Sequence, residues 1–199
     1  MKNWLDISSK ESIALGIFSA LIIAIGSILT IVLHALPGIL FLYKEAVVSF
    51  VIAPILILAL AKVPKRGVLT LLGGIMGGFW IFFGFFSIAI GGLIGGILAD
   101  SLASLKSYKS PLLNSLGYAL IRLGYVLGNY LPLMIWTEQF IQSVERNHPS
   151  SAVQFQWLLE ILTPQSLGIL LVFNLLFSLL GAYFGHYLLR RHFKRAGIV

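Results

Sequence analysis

The sequence predicts an all-α integral membrane protein with six transmembrane helices and both termini in the cytoplasm. Composition is the first reason. Mean hydropathy is +0.96, 58% of the residues are hydrophobic and only 11% are charged. A water-soluble domain carries about 25% charged residues, so this chain lacks the polar surface to stand in water. The second reason is segmentation, because long apolar runs alternate with short turns rich in lysine, proline and glycine. The third is a one-sided distribution of lysine and arginine, set out below. No polar linker interrupts the 199 residues, so a single transmembrane domain covering 1–199 is expected. Cysteine is absent, which removes disulfides, thiolate metal sites and cysteine nucleophiles together.

Residues 1–10 mix Trp4, Leu5 and Ile7 with Lys2, Asp6 and Lys10, as an interfacial segment does. Ser8 and Glu11 have the spacing of a capping box. The first span runs over about 12–35. At 1.5 Å per residue it is roughly 36 Å long, enough to cross a hydrocarbon core of about 30 Å. That is too long for the core of a cleavable signal peptide, and none is expected. Pro37-Gly38 closes the span, and residues 36–45 form an outer segment ending in Tyr43, Lys44 and Glu45. The second span covers about 46–61 with a bend at Pro54. After the turn Lys62-Val63-Pro64-Lys65-Arg66-Gly67, spans three and four cover about 68–83 and 87–105 and join near Gly84–Ser87.

Lys106-Ser107-Tyr108-Lys109-Ser110-Pro111 leads into the fifth span, about 112–136. Residues 137–165 are polar enough to lie outside the bilayer as an outer amphipathic segment. Its first piece carries Phe140, Ile141 and Val144, its second Val153, Trp157, Leu158, Ile161 and Leu162, with His148-Pro149-Ser150 between them. Thr163-Pro164 has the form of an N-cap followed by proline at the first helical position. The sixth span covers about 166–189, and Arg190-Arg191-His192-Phe193-Lys194-Arg195 follows it.

Both termini and the two basic turns fall on one side, with Lys2, Lys10, Lys62, Lys65, Arg66, Lys106, Lys109, Arg190, Arg191, Lys194 and Arg195. These are 11 of the 14 basic residues; Lys44 and Arg146 lie opposite, and Arg122 is within a span. The positive-inside rule assigns the crowded side to the cytoplasm. The net charge of +7 is then an insertion signal, and no nucleic-acid partner is expected.

Spans three and four each carry a Gly-Gly-x-x-Gly-Gly run: Gly73, Gly74, Gly77 and Gly78, then Gly91, Gly92, Gly95 and Gly96. Small residues four apart let helix backbones approach closely in lipid, where little hydrophobic drive pulls helices together. Both runs are expected to pack against neighbouring helices.

The fifth span holds Asn114, Tyr118, Arg122, Tyr125 and Asn129 at steps of four, four, three and four, hence on one face. A polar stripe at that depth must face the bundle interior or a wet cavity. Asp100, near the end of span four, is the expected partner of Arg122 in a buried ion pair; a ligand carboxylate is the alternative partner. His34, Tyr43, Trp80, Tyr125, Asn129, Trp136 and Asn174 gather at the outer ends of the spans. Together with Arg122 they are the candidate ligand-binding set, an apolar pocket with a few polar handles. The remaining histidines, His148, His186 and His192, do not cluster with His34, so no metal centre is expected. Paired intramembrane glutamates, His-Glu-x-x-His, Gly-x-Ser-x-Gly and phosphate-binding loops are all missing, and no enzymatic activity is expected.

Gly95-Gly96-Ile97-Leu98-Ala99-Asp100 resembles the fourth-span signature of the S components, the substrate-binding membrane subunits of energy-coupling factor (ECF) importers. Lys62-Val63-Pro64-Lys65-Arg66-Gly67, Ser107-Tyr108-Lys109-Ser110, the Asn114 and Tyr118 pair and Leu131-Pro132-Leu133 narrow the resemblance to the Trep_Strep, or MptD-like, group. The resemblance implies a six-helix bundle that captures a micronutrient on the outer side and docks on a transmembrane T component driven by two ATPase subunits. Gly16, Ala20 and Ala24 match the small-residue stripe by which such first spans contact the T component, with Gly16 departing from the family's alanine. Cargo does not carry over with the resemblance. A vitamin-like amphiphile suits Arg122, Asn129 and the tyrosines; haem suits the aromatics, with His34 or Tyr43 as axial ligand. Metal-ion members carry an N-terminal histidine motif that Met1-Lys2-Asn3-Trp4 lacks. A self-associating channel or structural protein held by its glycine faces is the contrasting expectation.

Overall fold

The computed structural model describes residues 7–34, 39–147 and 152–193, all helix, turn or connection with no strand among them. Eight α-helices run in order: α1 Ser9–His34, α2 Ile39–Lys62, α3 Val68–Phe79, α4 Phe86–Ser104, α5 Pro111–Ile135, α6 Thr137–Asn147, α7 Ala152–Ile161 and α8 Pro164–Leu188. A 3-10 turn, Trp80–Phe83, extends α3, and a π-helical turn, Leu189–Phe193, extends α8. Five helices (α1, α2, α4, α5 and α8) are long and apolar enough to cross a membrane. The sixth expected span, α3 with its 3-10 turn, is shorter. At 1.5 Å per α residue and 2.0 Å per 3-10 residue it reaches roughly 26 Å.

Local chemistry sets the helix ends. At the start of α1 the Ser8 amide donates to the Glu11 carboxylate at 2.8 Å, and the Glu11 amide donates to Ser8 Oγ at 3.4 Å. Glu11 also pairs with Lys65 at 2.8 Å, which fixes the first turn of α1 to the α2–α3 turn. Ser110 caps α5 ahead of Pro111, and Thr163 with Ser166 forms a full capping box ahead of α8. Gly67 and Gly84 take positive φ of 91° and 81° where the chain reverses on either side of α3, a conformation other residues adopt only with strain.

One boundary differs from expectation. The outer segment expected over 36–45 is helical from Ile39, and α2 continues through Pro54 to Lys62. Tyr43, Lys44 and Glu45 therefore belong to a membrane helix. The charges in that stretch suggested water, yet Lys44 is buried and Glu45 is half-buried. Pro37 and Gly38 lie outside the described residues, as do Val153's side chain and the His148-Pro149-Ser150 separator.

The six long elements close into a ring in which α1 neighbours α2, then come α8, α5, α4 and α3, and α3 returns to α1. Glycine decides the closest approaches. A Cβ on Gly73 would stand 2.5 Å from the Gly92 carbonyl, and one on Gly96 would stand 2.9 Å from that of Leu69, so these residues seat α3 on α4. Gly91 and Gly95 do the same for α4 on α5, against Gly124 and Leu120. Each Gly-Gly run in α4 thus serves two neighbours, one glycine per face. Gly77 packs on Ala89, whereas Gly74 meets only the Leu93 side chain and Gly78 meets nothing within 4 Å. Gly181 and Gly185 bring α8 onto Phe50 and Pro54 of α2, a contact that the spacing of four could have revealed.

Two apolar cores result. The larger joins α1 to α5 around Ile52, Leu56, Leu69, Leu72 and Tyr118. The smaller gathers Val126, Tyr130, Leu133, Val144, Leu158, Leu162, Leu167 and Leu170, and it holds the amphipathic α6 and α7 against the ends of α5 and α8. The outward faces are apolar as well. Ile13, Ile17, Ile31, Ile90, Val172 and Leu180 are each at least half exposed, a surface stable in lipid and not in water.

Candidate functional site

A cavity of about 210 Å³ opens at one end of the bundle. Its walls come from the second half of α1 (Ile22, Ile23, Gly26, Ser27, Thr30), the first turns of α2 (Lys44, Glu45, Val48, Ile52), the end of α3 and its 3-10 turn (Met76, Phe79, Trp80, Phe83), the start of α4 (Phe85, Ile88) and α5 (Arg122, Tyr125, Asn129). All of these lie at the end opposite the turns containing Lys62–Gly67 and Lys106–Ser110. The described ends of the chain lie at the turn end. Glu11 pairs there with Lys65, and Gly185 of α8 packs against Pro54 and Ile57 in the second half of α2.

Arg122 anchors the cavity floor and is only 2% exposed. Its Nε donates to Ser49 Oγ at 2.7 Å, and its Nη2 donates to the Glu45 carboxylate at 2.9 Å and to the Glu45 carbonyl at 3.4 Å. The guanidinium carbon stands 5.0 Å from the centre of the Tyr125 ring, within cation–π range. Ser49 is the hub. Its hydroxyl donates to the Glu45 carbonyl at 2.6 Å and accepts from Arg122 and, at 3.0 Å, from Asn174 Nδ2. A hydroxyl has one donor and two acceptor positions, and all three are used. Tyr118 adds a hydrogen bond from its hydroxyl to the Ser49 carbonyl. The network ties α2, α5 and α8 together beneath the cavity, so the polar groups are held in fixed positions.

The expected Asp100–Arg122 ion pair does not form. Arg122 pairs with Glu45. Asp100 instead accepts from the Leu69 amide (3.3 Å), the Thr70 amide (2.7 Å), Thr70 Oγ1 (2.6 Å) and the Tyr108 hydroxyl (3.0 Å). The physical reason is placement. Asp100 sits at the turn end of α4, facing the free amides of the first turn of α3, where a carboxylate is favoured by both hydrogen bonding and the helix dipole. Arg122 lies about two turns up α5 from that level, roughly 10 Å, and meets Glu45 of α2 there because α2 already begins at Ile39. Burial, reinforced by the Asp100 carboxylate, raises the Tyr108 phenol above its ordinary value and keeps it a donor.

Of the expected ligand-binding residues, Trp80, Arg122, Tyr125 and Asn129 line the cavity. Tyr43 does not; its ring packs tilted against Phe173 of α8, with ring centres 5.1 Å apart and planes inclined by 54°. Trp136 caps α5 and is 58% exposed. Asn174 is fully buried behind Ser49, so it supports the floor without reaching the cavity. The His34 side chain lies outside the described residues. Lys44, Glu45, Ser49, Ser27 and Thr30 were missed. A signal existed: Glu45, Val48, Ser49 and Ile52 recur at helical spacing, continuing the α2 pattern back past its assumed start. No group of three or more metal-ligating side chains occurs among the described residues.

Long apolar helices with a lipid-compatible exterior define a multi-pass integral membrane protein. The sequence profile of the family described as hypothetical bacterial integral membrane protein (Trep_Strep) matches residues 9–195, and the chain belongs to that family. No curated protein and no solved structure matches it.

Proposed function

We propose that the protein is the substrate-specificity subunit of an ECF-type importer. In this proposal the chain crosses the membrane six times with both termini in the cytoplasm, and α3 with its 3-10 turn makes the short crossing. It captures a small organic micronutrient on the outer side and delivers it by docking on a T component driven by two ATPase subunits. It performs no chemistry on its cargo. The observation that carries the proposal is the polar-floored cavity at the end of the bundle away from the basic turns, which the positive-inside rule assigns to the exterior.

The first helix fits its part. Gly16, Ala20 and Ala24 are exposed along one side of α1, and nothing approaches a Cβ on Gly16 within 4 Å. This leaves a smooth flank available to a partner. At about 210 Å³ the cavity is smaller than the 300–1,000 Å³ typical of drug-sized sites. A compact vitamin-like molecule fits it as it stands; a tetrapyrrole would require the aromatic walls at Phe79, Trp80 and Phe85 to part. The glycine faces on which a self-associating channel would rely are largely taken up inside the chain, between α3, α4 and α5.

Affinity purification of the tagged protein from its native membrane tests the proposal. Recovery of a T component and ATPase subunits is expected, and Ala20→Trp is expected to abolish that recovery without lowering the melting temperature. Recovery of the protein alone from the native membrane, or a retained complex in Ala20→Trp, would refute the docking scheme.

A further inference from the structure

The side chains of Arg122 and Glu45 are joined by one hydrogen bond, from Nη2 to Oε2. A guanidinium and a carboxylate can make two in parallel, so this pair leaves an edge open. Arg122 Nη1 and Glu45 Oε1 have no partner among the described residues, and neither is sealed inside the protein. Both residues line the cavity, which therefore meets a donor and an acceptor close to each other, on two groups whose charges cancel. Asn129, two turns further along α5, and Ser27 of α1 add an amide and a hydroxyl that are likewise without a partner among the described residues. Lys44 and Thr30, on the same walls, are already engaged. Aromatic rings supply much of the remaining surface: Tyr125 lies 5.0 Å from the guanidinium carbon, and Phe79, Trp80 and Phe85 line the cavity with it.

An ion bound at this edge meets a like charge. A carboxylate on Nη1 lies beside the Glu45 carboxylate, and an ammonium on Oε1 lies beside the guanidinium. A neutral group with an N–H next to a carbonyl satisfies both atoms at once, and a flat ring that bears it packs on the aromatic walls. We infer that the cavity takes an uncharged, planar nitrogen heterocycle whose edge carries a ring N–H beside a carbonyl. The N–H donates to Glu45 Oε1, and the carbonyl accepts from Arg122 Nη1. Asn129 and Ser27 hydrogen-bond polar atoms elsewhere on the ring system. A ligand whose ring N–H is blocked leaves the Glu45 oxygen buried without a partner, and that loss exceeds the worth of the bond itself. The inference rests on the reading of the cavity as a cargo site, and it adds the chemical class of what that site holds.

The test uses the full chain in lipid nanodiscs and pairs of isomers that differ only in whether a methyl group sits on ring carbon or on ring nitrogen. With one, two and three rings these are 4-methyl-2-pyridone and N-methyl-2-pyridone, 6-methylquinazolin-4-one and 3-methylquinazolin-4-one, lumichrome and 1,3-dimethylalloxazine. Binding is read by calorimetry, with benzoate and 2-naphthoate as charged comparators. In at least one pair the isomer that keeps its N–H is expected to bind about tenfold or more tighter, a difference of about 1.4 kcal/mol. Glu45→Ala is expected to shrink that ratio to about threefold or less, and Asn129→Ala to weaken both isomers while leaving the ratio in place. Isomers that bind equally, or a panel in which no heterocycle binds, would overturn the inference, and neither result depends on a variant folding. Tighter binding of an acid than of every heterocycle would overturn it in favour of an anionic cargo. A ratio that follows Asn129 and ignores Glu45 would overturn the assignment of the edge. Preference for the N–H isomer in a chain that recovers no T component would leave this inference standing while ending the importer proposal. Recovery of a T component by a chain that binds none of the heterocycles would end this inference alone.

Discussion

Gly73→Ala and Gly78→Ala change the same residue type within one Gly-Gly-Ile-Met-Gly-Gly run, and they should have opposite consequences. At Gly73 the new Cβ stands 2.5 Å from the Gly92 carbonyl oxygen and 3.2 Å from the Gly96 Cα. Ordinary contact begins near 3.4 Å, so α3 and α4 must separate locally by roughly 1 Å. Both sides of the contact are backbone, which no rotamer change can relieve. A gap of about 0.5–1 Å forfeits a quarter to a half of each dispersion contact around it, and overpacking of this kind costs about 1–3 kcal/mol. For a chain of this length each kcal/mol corresponds to about 2–4 °C, so the melting temperature should fall by several degrees. At Gly78 nothing lies within 4 Å, and alanine is the better helix former by up to about 1 kcal/mol, so the variant should match or exceed the parent. Thermal unfolding in detergent, followed by size-exclusion fluorescence, measures both. Equal losses at the two positions would refute the assignment of the glycine faces.

Two further outcomes follow from the polar groups. Glu45→Gln leaves Arg122 buried without its counter-ion and should cost about 3 kcal/mol, while Glu45→Gln combined with Arg122→Gln should recover part of that loss; strictly additive losses in the double-mutant cycle would show that the pair is not coupled. Removing the Tyr108 hydroxyl, which donates to Asp100, should cost about 1.5–3 kcal/mol as a hydrogen bond to a charged group. Because the folded phenol titrates above the unfolded value of about 10, its contribution is fully present below that pH and is lost as pH rises beyond it. The parent protein should therefore lose stability above about pH 10 faster than Tyr108→Phe does, and superimposable alkaline melting curves would count against the Asp100–Tyr108 contact.

The helices were legible because their signals are local and repeated. Ser8 with Glu11, Ser110 with Pro111 and Thr163 with Pro164 mark helix starts by capping chemistry that needs no tertiary context. The α5 stripe was equally plain, since a polar face within an apolar span has nowhere to go but inward; Tyr118, Arg122 and Tyr125 are all buried. Pairing across helices was not legible. Arg122 could have met Asp100 or Glu45, and only the relative height of α2, α4 and α5 decides between them. Charges near a span end carry the same ambiguity: Lys44 and Glu45 look like loop residues in isolation and become cavity residues once α2 begins at Ile39. Asn174 and Tyr43 show the limit of grouping residues by depth alone, because equal depth does not settle which face a side chain takes.

Along much of its length α1 is a partition one helix thick. Ile22, Gly26 and Thr30 front the cavity, while Ala20, Ala24 and Ile28 front the surroundings of the bundle. A helix is about 10–12 Å across with its side chains, so on that side a single wall of this thickness separates the cavity from the surroundings of the bundle. Its footing among the other helices is chiefly α2, with a slighter contact on α3. The wall is therefore joined to the bundle mainly along one seam, α1 on α2, away from the glycine contacts that lock α3, α4 and α5 together.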